Sequence, residues 1–274
     1  MAWWAGFEGW ISGFDYNGNE AFHGWEQKIN DNGVLYYVKN ENQLTSWSHP
    51  YLDKVFQTID FSFSDVKYAA YRTALKLRTL QTQLGLHWIN IESLKETLPP
   101  VEDESGDLFM TYKQGLEFIE KTLGFSQDEE VSVEIIPLAA DLILNLLAKL
   151  YDRGHSGKLV PRCLQNALIA LCGSKLGDKY KFLCARLPKL NGDILREHIT
   201  CLIDDLMQIP YILKEGLAFG IDVAAAVDSC LNHAQCNEIS SVSSDSVFSW
   251  LCCEPQTLVW LPTLHRMIAT EKGN

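Results

Sequence analysis

The sequence predicts a mainly α-helical protein that carries one small three-stranded antiparallel sheet near its N-terminus. Two turn signals, Asn32-Gly33 and residues 40–43, separate three short strand-like runs between residues 23 and 50. Beyond this segment the apolar residues recur with the three- and four-residue spacing of amphipathic helices. The 274 residues are enough for one large domain or two medium ones.

The helical part is expected to consist of short helices with short connections, which favours paired helix–loop–helix units over a sheet. One helix face is marked by Ala70, Ala74, Leu77, Leu80 and Leu84. Asp222 is a good N-cap for a segment that continues to Ala234. Further helices are expected over residues 108–123, 133–151, 161–171, 179–187, 247–251 and 258–270, and from 191–193 through Ile194 to Leu206.

The charge of the chain excludes one large class of partner. The formal net charge is −12, and nucleic-acid binding needs clustered Lys and Arg, so we expect no nucleic-acid partner. Residues 101–134 contain ten acidic side chains and two lysines, which is a net charge of −8 in one stretch. A solvated acidic loop with its flanks explains this stretch better than a specific site for a basic partner.

The N-terminus and the cysteines indicate an intracellular protein. Residues 1–22, rich in aromatics and glycine, have neither a basic segment nor an apolar core typical of a secretion signal, and their role is unassigned. The eight cysteines form no C-x-x-C pair, so we expect them to be reduced and mostly buried. Cys230, His233 and Cys236 recur every three residues, but this spacing turns around a helix and no fourth ligand is evident, so we predict no metal site.

The longest apolar run, from Ile135 to Tyr151, is predicted to be an amphipathic helix and not a membrane span. Asp141, Asn145 and Lys149 interrupt it at intervals of four, which places one polar stripe along the helix.

The predicted sheet needs a stabilising device, because thirty residues in three strands bury too little surface on their own. Trp25 and Pro50 lie at its two ends, and their stacking would close a miniature core. Strand alternation places Tyr37 on that same side, opposite Tyr36 and Val38.

The other side of the sheet predicts a ligand site. Thr45 and Trp47 are two residues apart and project together, so Tyr36 and Trp47 would form an exposed aromatic slot. A polyproline II segment is already extended and loses little entropy when it binds between aromatic planes. The alternative, that Trp47 is an ordinary core residue, explains the paired tyrosines and the closing proline less well.

The pattern of these residues resembles that of the WW family. It consists of Gly24-Trp25-Glu26, Tyr36-Tyr37, Thr45-Ser46-Trp47 and Pro50. The following segments are similar, in the same order, to landmarks of the dystrophin and utrophin family. They are 71–78 (YRTALKLR), 150–152 with Gly154 and Gly157, 178–180, 208–210, 254–256, 259–262 and 264–266.

The resemblance implies a WW domain at 23–52 docked on two EF-hand-like helical regions, at 55–172 and 176–270. It also implies a non-enzymatic scaffold that binds a proline-rich peptide, the cytoplasmic tail of β-dystroglycan, at the inner face of the plasma membrane next to the cytoskeleton. Contact with the membrane is expected only through such partners. The ZZ zinc finger that follows in this family lies outside the sequence.

The expected peptide-binding residues are Tyr36, Val38, Asn40, Thr45 and Trp47, and the expected structural residues are Trp25, Tyr37 and Pro50. In family members that bind Pro-Pro-x-Tyr motifs, a histidine stands where this chain has Asn40. Val38 keeps the apolar wall and Thr45 the hydroxyl, so the resemblance predicts an intact proline slot with an altered tyrosine pocket.

A calcium-responsive regulator is the second hypothesis. With Asp152 as position one of an EF-hand loop, Gly157 occupies position six, but positions three, five and twelve are Gly154, Ser156 and Cys163. One carboxylate is too few for a site that needs six to eight oxygen ligands, so we expect no bound cofactor or metal. An enzyme is the third hypothesis, and it is disfavoured because the sequence contains no phosphate loop, H-E-x-x-H or G-x-S-x-G motif.

Overall fold

The computed structural model describes residues 24–98, 109–126, 131, 133–220, 222–234 and 241–271. The unassigned segment 1–22, the acidic residues at 102–107 and 128–130, and Cys236 therefore lie outside the described residues.

The predicted three-stranded sheet is confirmed. Its strands are β1 (Trp25–Ile29), β2 (Leu35–Lys39) and β3 (Leu44–Ser46), in the order β1-β2-β3 with both pairs antiparallel. Gly33 occupies the left-handed region at φ +77° in the first turn, where the Asn30 side chain accepts hydrogen bonds from the amides of Asn32 and Val34. Across the second pair, Tyr37 lies opposite Ser46 and Val38 opposite Thr45.

The rest of the described chain is mainly helical, as predicted. The helices of its first half are α1 (Pro50–Ser62), α2 (Ala69–Gln83), α3 (Ile91–Thr97), α4 (Tyr112–Gly124), α5 (Ile136–Tyr151) and α6 (Pro161–Leu171). Those of its second half are α7 (Leu176–Arg186), α8 (Arg196–Ile212), α9 (Val223–His233), α10 (Ser244–Cys252) and α11 (Trp260–Glu271). Short 3₁₀ turns occupy Leu86–Trp88, Gly216–Phe219 and Gln256–Leu258.

Some predicted helix boundaries are confirmed and others are wrong. Asp222 does cap α9, because its side chain accepts a hydrogen bond from the amide of Ala225. The helix predicted to begin at 191–193 begins at Arg196, because Ile194–Leu195 form a short strand, β4, paired with β5 (Ser241–Val242).

The sequence patterns did not predict α1 or α3. Pro50 is the first residue of α1, a position that tolerates proline because its missing N–H would be unpaired there. The chain therefore passes from the sheet directly into a helix, and the predicted boundary between residues 52 and 55 falls inside it.

Two short antiparallel links join loops that each precede a helix. In the first half Met110 pairs with Leu159, just before α4 and α6. In the second half β4 pairs with β5, just before α8 and α10. The two halves thus repeat one arrangement of helix–loop–helix pairs.

The two halves also pack against each other. Helix α11 packs on α2, and the carboxylate of Glu215, 5% exposed, accepts hydrogen bonds from Arg72 at 2.6 and 2.5 Å and lies 3.0 Å from Nζ of Lys76. A buried carboxylate with two cationic partners joins the halves into one platform.

No helix of the described ranges combines the length and the apolar character that crossing a membrane would require. Asp141, Asn145 and Lys149 do lie at successive turns of α5, which is 16 residues long.

Candidate functional site

The sheet is held on the platform through Tyr37. Its ring is fully buried, and its hydroxyl donates a hydrogen bond to Oδ2 of Asp141 at 3.1 Å. The same hydroxyl accepts one from Nδ2 of Asn145 at 2.9 Å. Asp141 and Asn145 are both on α5, so one tyrosine anchors the underside of the sheet to the central helix of the platform.

The polar stripe predicted on α5 is the surface that receives the sheet. Besides its bond with Tyr37, Asp141 accepts a hydrogen bond from the side-chain amide of Gln27 in β1. One turn beyond Asn145, Lys149 lies 3.0 Å from the Asp53 carboxylate and 3.1 Å from the Ser48 hydroxyl. Because Asp141, Asn145 and Lys149 are four residues apart, they lie on one face of α5. All three contact the sheet or the segment that follows it.

Burial changes the titration of the groups at this junction. Burial raises the pKa of Asp141 to about 6, although the hydrogen bonds from Tyr37 and Gln27 lower it. Burial also lowers the pKa of His49 to about 4, against the raising effect of Asp53. His49 packs edge-on against the Tyr37 ring with centroids 4.9 Å apart, and its Nε2 lies 3.8 Å from Oδ2 of Asp141. At neutral pH an uncharged imidazole therefore faces the ionised carboxylate of Asp141.

The glycine turn that resembles a calcium loop also contacts the sheet. The Asp152 carboxylate accepts hydrogen bonds from the amides of Ser156 and Gly157, at 2.8 and 2.9 Å, and from the hydroxyls of Ser156 and Tyr112. Gly157 is buried against the backbone carbonyl of Asn32, in the turn between β1 and β2, with φ +79°. The carboxylate thus organises a turn that supports the first hairpin.

The upper face of the sheet carries the predicted aromatic pair. The rings of Tyr36 and Trp47 have centroids 5.6 Å apart and planes inclined by 55°. Trp47 is 47% exposed, which is inconsistent with an ordinary core position. The structure therefore brings the rings of Tyr36 and Trp47 together on one face of the sheet, although their planes are inclined and not parallel.

The other predicted site residues occupy these places. Val38 is half-buried, opposite the exposed Thr45, and Asn40 is exposed in the turn after β2. Trp25 is half-buried at the start of β1 and Pro50 is half-buried at the start of α1. That these last two close the core of the sheet stays a prediction.

The sequence patterns did not indicate that His155 contacts Trp47. Its ring stacks on Trp47 with centroids 4.7 Å apart and planes 16° from parallel, and its backbone is left-handed at φ 52°. In the sequence it stands in the glycine turn after α5, more than a hundred residues from Trp47, and no periodicity connects the two. Only the docking of the sheet on α5 brings these rings together.

Across the described residues, no three or more His, Cys, Asp and Glu side chains are grouped so that they could hold a metal ion. The described cysteines are free thiols.

Comparisons with known proteins agree with this architecture. Residues 53–172 match a family model described as "EF hand", and residues 176–268 match a second model described as "EF-hand". The structure and these matches together define a protein with two EF-hand-like helical regions and a three-stranded sheet before them.

Individual relatives identify the family of this protein more narrowly. The chain is 28% identical to dystrophin-related protein 2 of Rattus norvegicus over 249 residues, 90% of this chain and 26% of the relative. It is 30% identical to utrophin of the same species over 248 residues, 90% of this chain and 7% of the relative. Dystrophin-1 of Caenorhabditis elegans is 28% identical over 254 residues, 90% of this chain and 7% of the relative. The chain belongs to the dystrophin family, and it spans about a quarter or less of the length of these relatives.

Proposed function

We propose that the three-stranded sheet is a WW domain and that Tyr36 and Trp47 bind a proline-rich peptide. The observation that carries this proposal is an exposed aromatic pair on a sheet whose opposite side is hydrogen-bonded to the helical platform. Prolines present flat, apolar rings to such a pair, and a polyproline II helix is extended before it binds. Neighbouring Val38 and Thr45 add an apolar wall and a hydroxyl beside the slot.

Anchoring through Tyr37 supports this function because it orders the binding surface before the ligand arrives. Tyr36 and Tyr37 are adjacent in β2 and point to opposite faces of the sheet. The bond from Tyr37 to Asp141 therefore fixes the strand that presents Tyr36. A site that is already ordered loses less entropy on binding, which increases affinity.

In the cell we infer a non-enzymatic scaffold that links a membrane complex to the cytoskeleton. Membership of the dystrophin family supports this role, and the matched family models describe EF hands and no enzyme. The proposed partner is the proline-rich cytoplasmic tail of a membrane protein such as β-dystroglycan, which places the chain at the inner face of the plasma membrane.

The test is a fluorescence anisotropy titration of the chain with a labelled proline-rich peptide and with a scrambled version of it. Trp47→Ala should weaken binding by about 30-fold or more, since a central aromatic anchor is commonly worth 2 kcal/mol or more. The matched control is Phe61→Ala, because Phe61 is an exposed aromatic residue on α1, 84% accessible. Unchanged affinity in Trp47→Ala, or equal binding of the scrambled peptide, would contradict the proposal.

A further inference from the structure

A cleft of about 460 Å³ opens beside the aromatic slot, between the sheet and the platform. Its described lining comes from the end of β3 and the segment after it, from the first turns of α1 and α4, from α5 and from the turn after α5. It includes Trp47, Lys149, Arg153 and His155. This volume accommodates a large side chain of a bound peptide.

Trp47 separates the cleft from the slot. One face of the indole is covered by His155, yet the side chain remains 47% exposed, so the remaining surface is open. Tyr36 contacts the indole but does not line the cleft. A peptide whose prolines rest on Tyr36 and Trp47 therefore places a neighbouring side chain over the edge of the indole and into the cleft.

The cleft is basic in an otherwise acidic chain. Among the described residues that line it, Lys149, Arg153 and His155 are basic and Asp53 is acidic. Asp53 already lies 3.0 Å from Nζ of Lys149, so these two charges offset each other. Among the described residues that line the cleft, Arg153 and His155 are therefore the basic side chains that Asp53 does not offset. The protein as a whole is acidic, with 35 acidic and 23 basic residues.

Arg153 and His155 retain hydrogen-bonding capacity for a ligand. One guanidinium nitrogen of Arg153 donates to Gln208 at 3.0 Å, and the group lies 6.0 Å from the centre of the Tyr211 ring. A guanidinium has five N–H donors, so this bond leaves others available. Within the described ranges His155 makes its ring contact with Trp47 and no hydrogen bond through its imidazole.

We propose that this cleft binds an anionic side chain, a carboxylate or a phosphate, next to the proline core of the peptide. Arg153 and His155 are then the residues that determine specificity, since hydrogen bonds from a guanidinium to an anion are about twice as strong as neutral ones and the imidazole adds an N–H donor. The inference rests on the proposed function, because it assumes that prolines occupy the neighbouring slot.

The experiment uses the full chain and a set of peptides that share one proline core. At each of the three positions on either side of the core, the peptide carries alanine, glutamine, glutamate, tyrosine or phosphotyrosine. At one of these positions we expect glutamate to bind about tenfold tighter than glutamine, and phosphotyrosine tighter than tyrosine. The glutamate and phosphotyrosine arms distinguish a carboxylate from a phosphate as the preferred anion.

Two variants assign this preference to the cleft. Arg153→Gln should reduce the glutamate-to-glutamine ratio toward one and leave the affinity for the alanine peptide nearly unchanged. His155→Asn should also reduce this ratio, and its affinities are compared with its own alanine-peptide affinity because His155 stacks on Trp47. Asparagine is chosen because it tolerates the left-handed backbone of residue 155. Arg266→Gln is the matched control, since Arg266 is an exposed arginine outside the cleft, paired with Glu254.

The two proposals fail in different ways. If the peptides bind through their prolines but glutamate equals glutamine at every position, the cleft inference is wrong and the slot stands. If tyrosine binds tighter than phosphotyrosine and glutamate at every position, the cleft selects a neutral ring and the inference is likewise wrong. If peptides with and without the proline core bind equally, the slot itself is misassigned and both proposals are overturned.

Discussion

The phenol of Tyr37 donates a hydrogen bond to the Asp141 carboxylate across the junction of sheet and platform, with the oxygens 3.1 Å apart. A three-stranded sheet of this size has little core of its own. Its most buried ring is instead shared with α5, where Asn145 completes the polar contact. The sheet therefore depends on the platform for its position and for part of its stability.

Tyr37→Phe should lower the free energy of unfolding by about 1–3 kcal/mol, because Asp141 and Asn145 each lose a partner in a buried environment. Urea denaturation followed by tryptophan fluorescence measures the change. The matched control is Tyr36→Phe, which removes a hydroxyl from the neighbouring residue on the open face and should cost less than about 0.5 kcal/mol. Equal losses in the two variants would show that the bond to Asp141 does not stabilise the junction.

The same junction predicts an unusual dependence of stability on pH. Burial raises the pKa of Asp141 to about 6, above its ordinary value near 3.9, so between these values the folded state holds more protons than the unfolded state. The Asp141 contribution to stability is therefore present at low pH and is lost as pH rises to about 6. His49 acts oppositely: its pKa is lowered to about 4, so its contribution grows as pH rises from about 4 to 6.5.

Because these two contributions oppose each other, the stability of the parent protein should depend only weakly on pH in this range. Single substitutions should therefore reveal the pH dependence of each contribution. Asp141→Asn retains an acceptor for Tyr37 but no titratable group. As pH rises from 4 to 6, its free energy of unfolding should therefore increase by about 3 kcal/mol relative to that of the parent. The free energy of unfolding of His49→Gln should decrease by a similar amount relative to that of the parent over the same window. Urea midpoints at half-unit pH intervals measure both effects, and parallel pH profiles for the parent and the two variants would contradict the assigned pKa directions.

Local patterns were sufficient to predict much of this molecule. The turn at Asn32-Gly33 and the alternation of Tyr36 and Tyr37 predict the sheet and its two faces, because turn chemistry and strand period are local properties. The N-cap at Asp222 is likewise encoded by its own side chain. For the same reason the paired aromatics on the open face could be placed before any tertiary contact was known.

Tertiary contacts could not be predicted in this way. The polar stripe on α5 has the same appearance in the sequence whether water or another domain covers it. The stacking of His155 on Trp47 depends on how the sheet docks, which no local period encodes. Helix α1 is not encoded unambiguously by its first residue, because a proline can close a small sheet and is equally suited to the first position of a helix.

Calcium should not bind the turn that begins at Asp152. Its carboxylate already accepts four hydrogen bonds from Ser156, Gly157 and Tyr112, so a cation would have to displace protein donors and replace its own water shell with few oxygens. Isothermal titration calorimetry should show no saturable calcium binding up to about 1 mM, the weak end of EF-hand affinities. A calcium-dependent rise in melting temperature, absent with magnesium, would instead support the regulatory hypothesis, because a ligand of the native state stabilises it.

The close contact between Gly157 and Asn32 makes this turn a support for the three-stranded sheet. A Cβ atom at position 157 would overlap the backbone carbonyl of Asn32, and φ +79° is a conformation that side chains resist. Gly157→Ala should therefore cost about 2–4 kcal/mol of stability and weaken proline-rich peptide binding, since the hairpin must move away from the platform.

Gly154→Ala is the matched control. Gly154 lies in the same turn, its φ is not positive and an added methyl group meets open space, so this substitution should change stability and peptide binding little. Hydrogen exchange of the amides of residues 25–46 localises the effect to the sheet. If Gly157→Ala protects those amides as well as the parent does, the turn does not support the sheet.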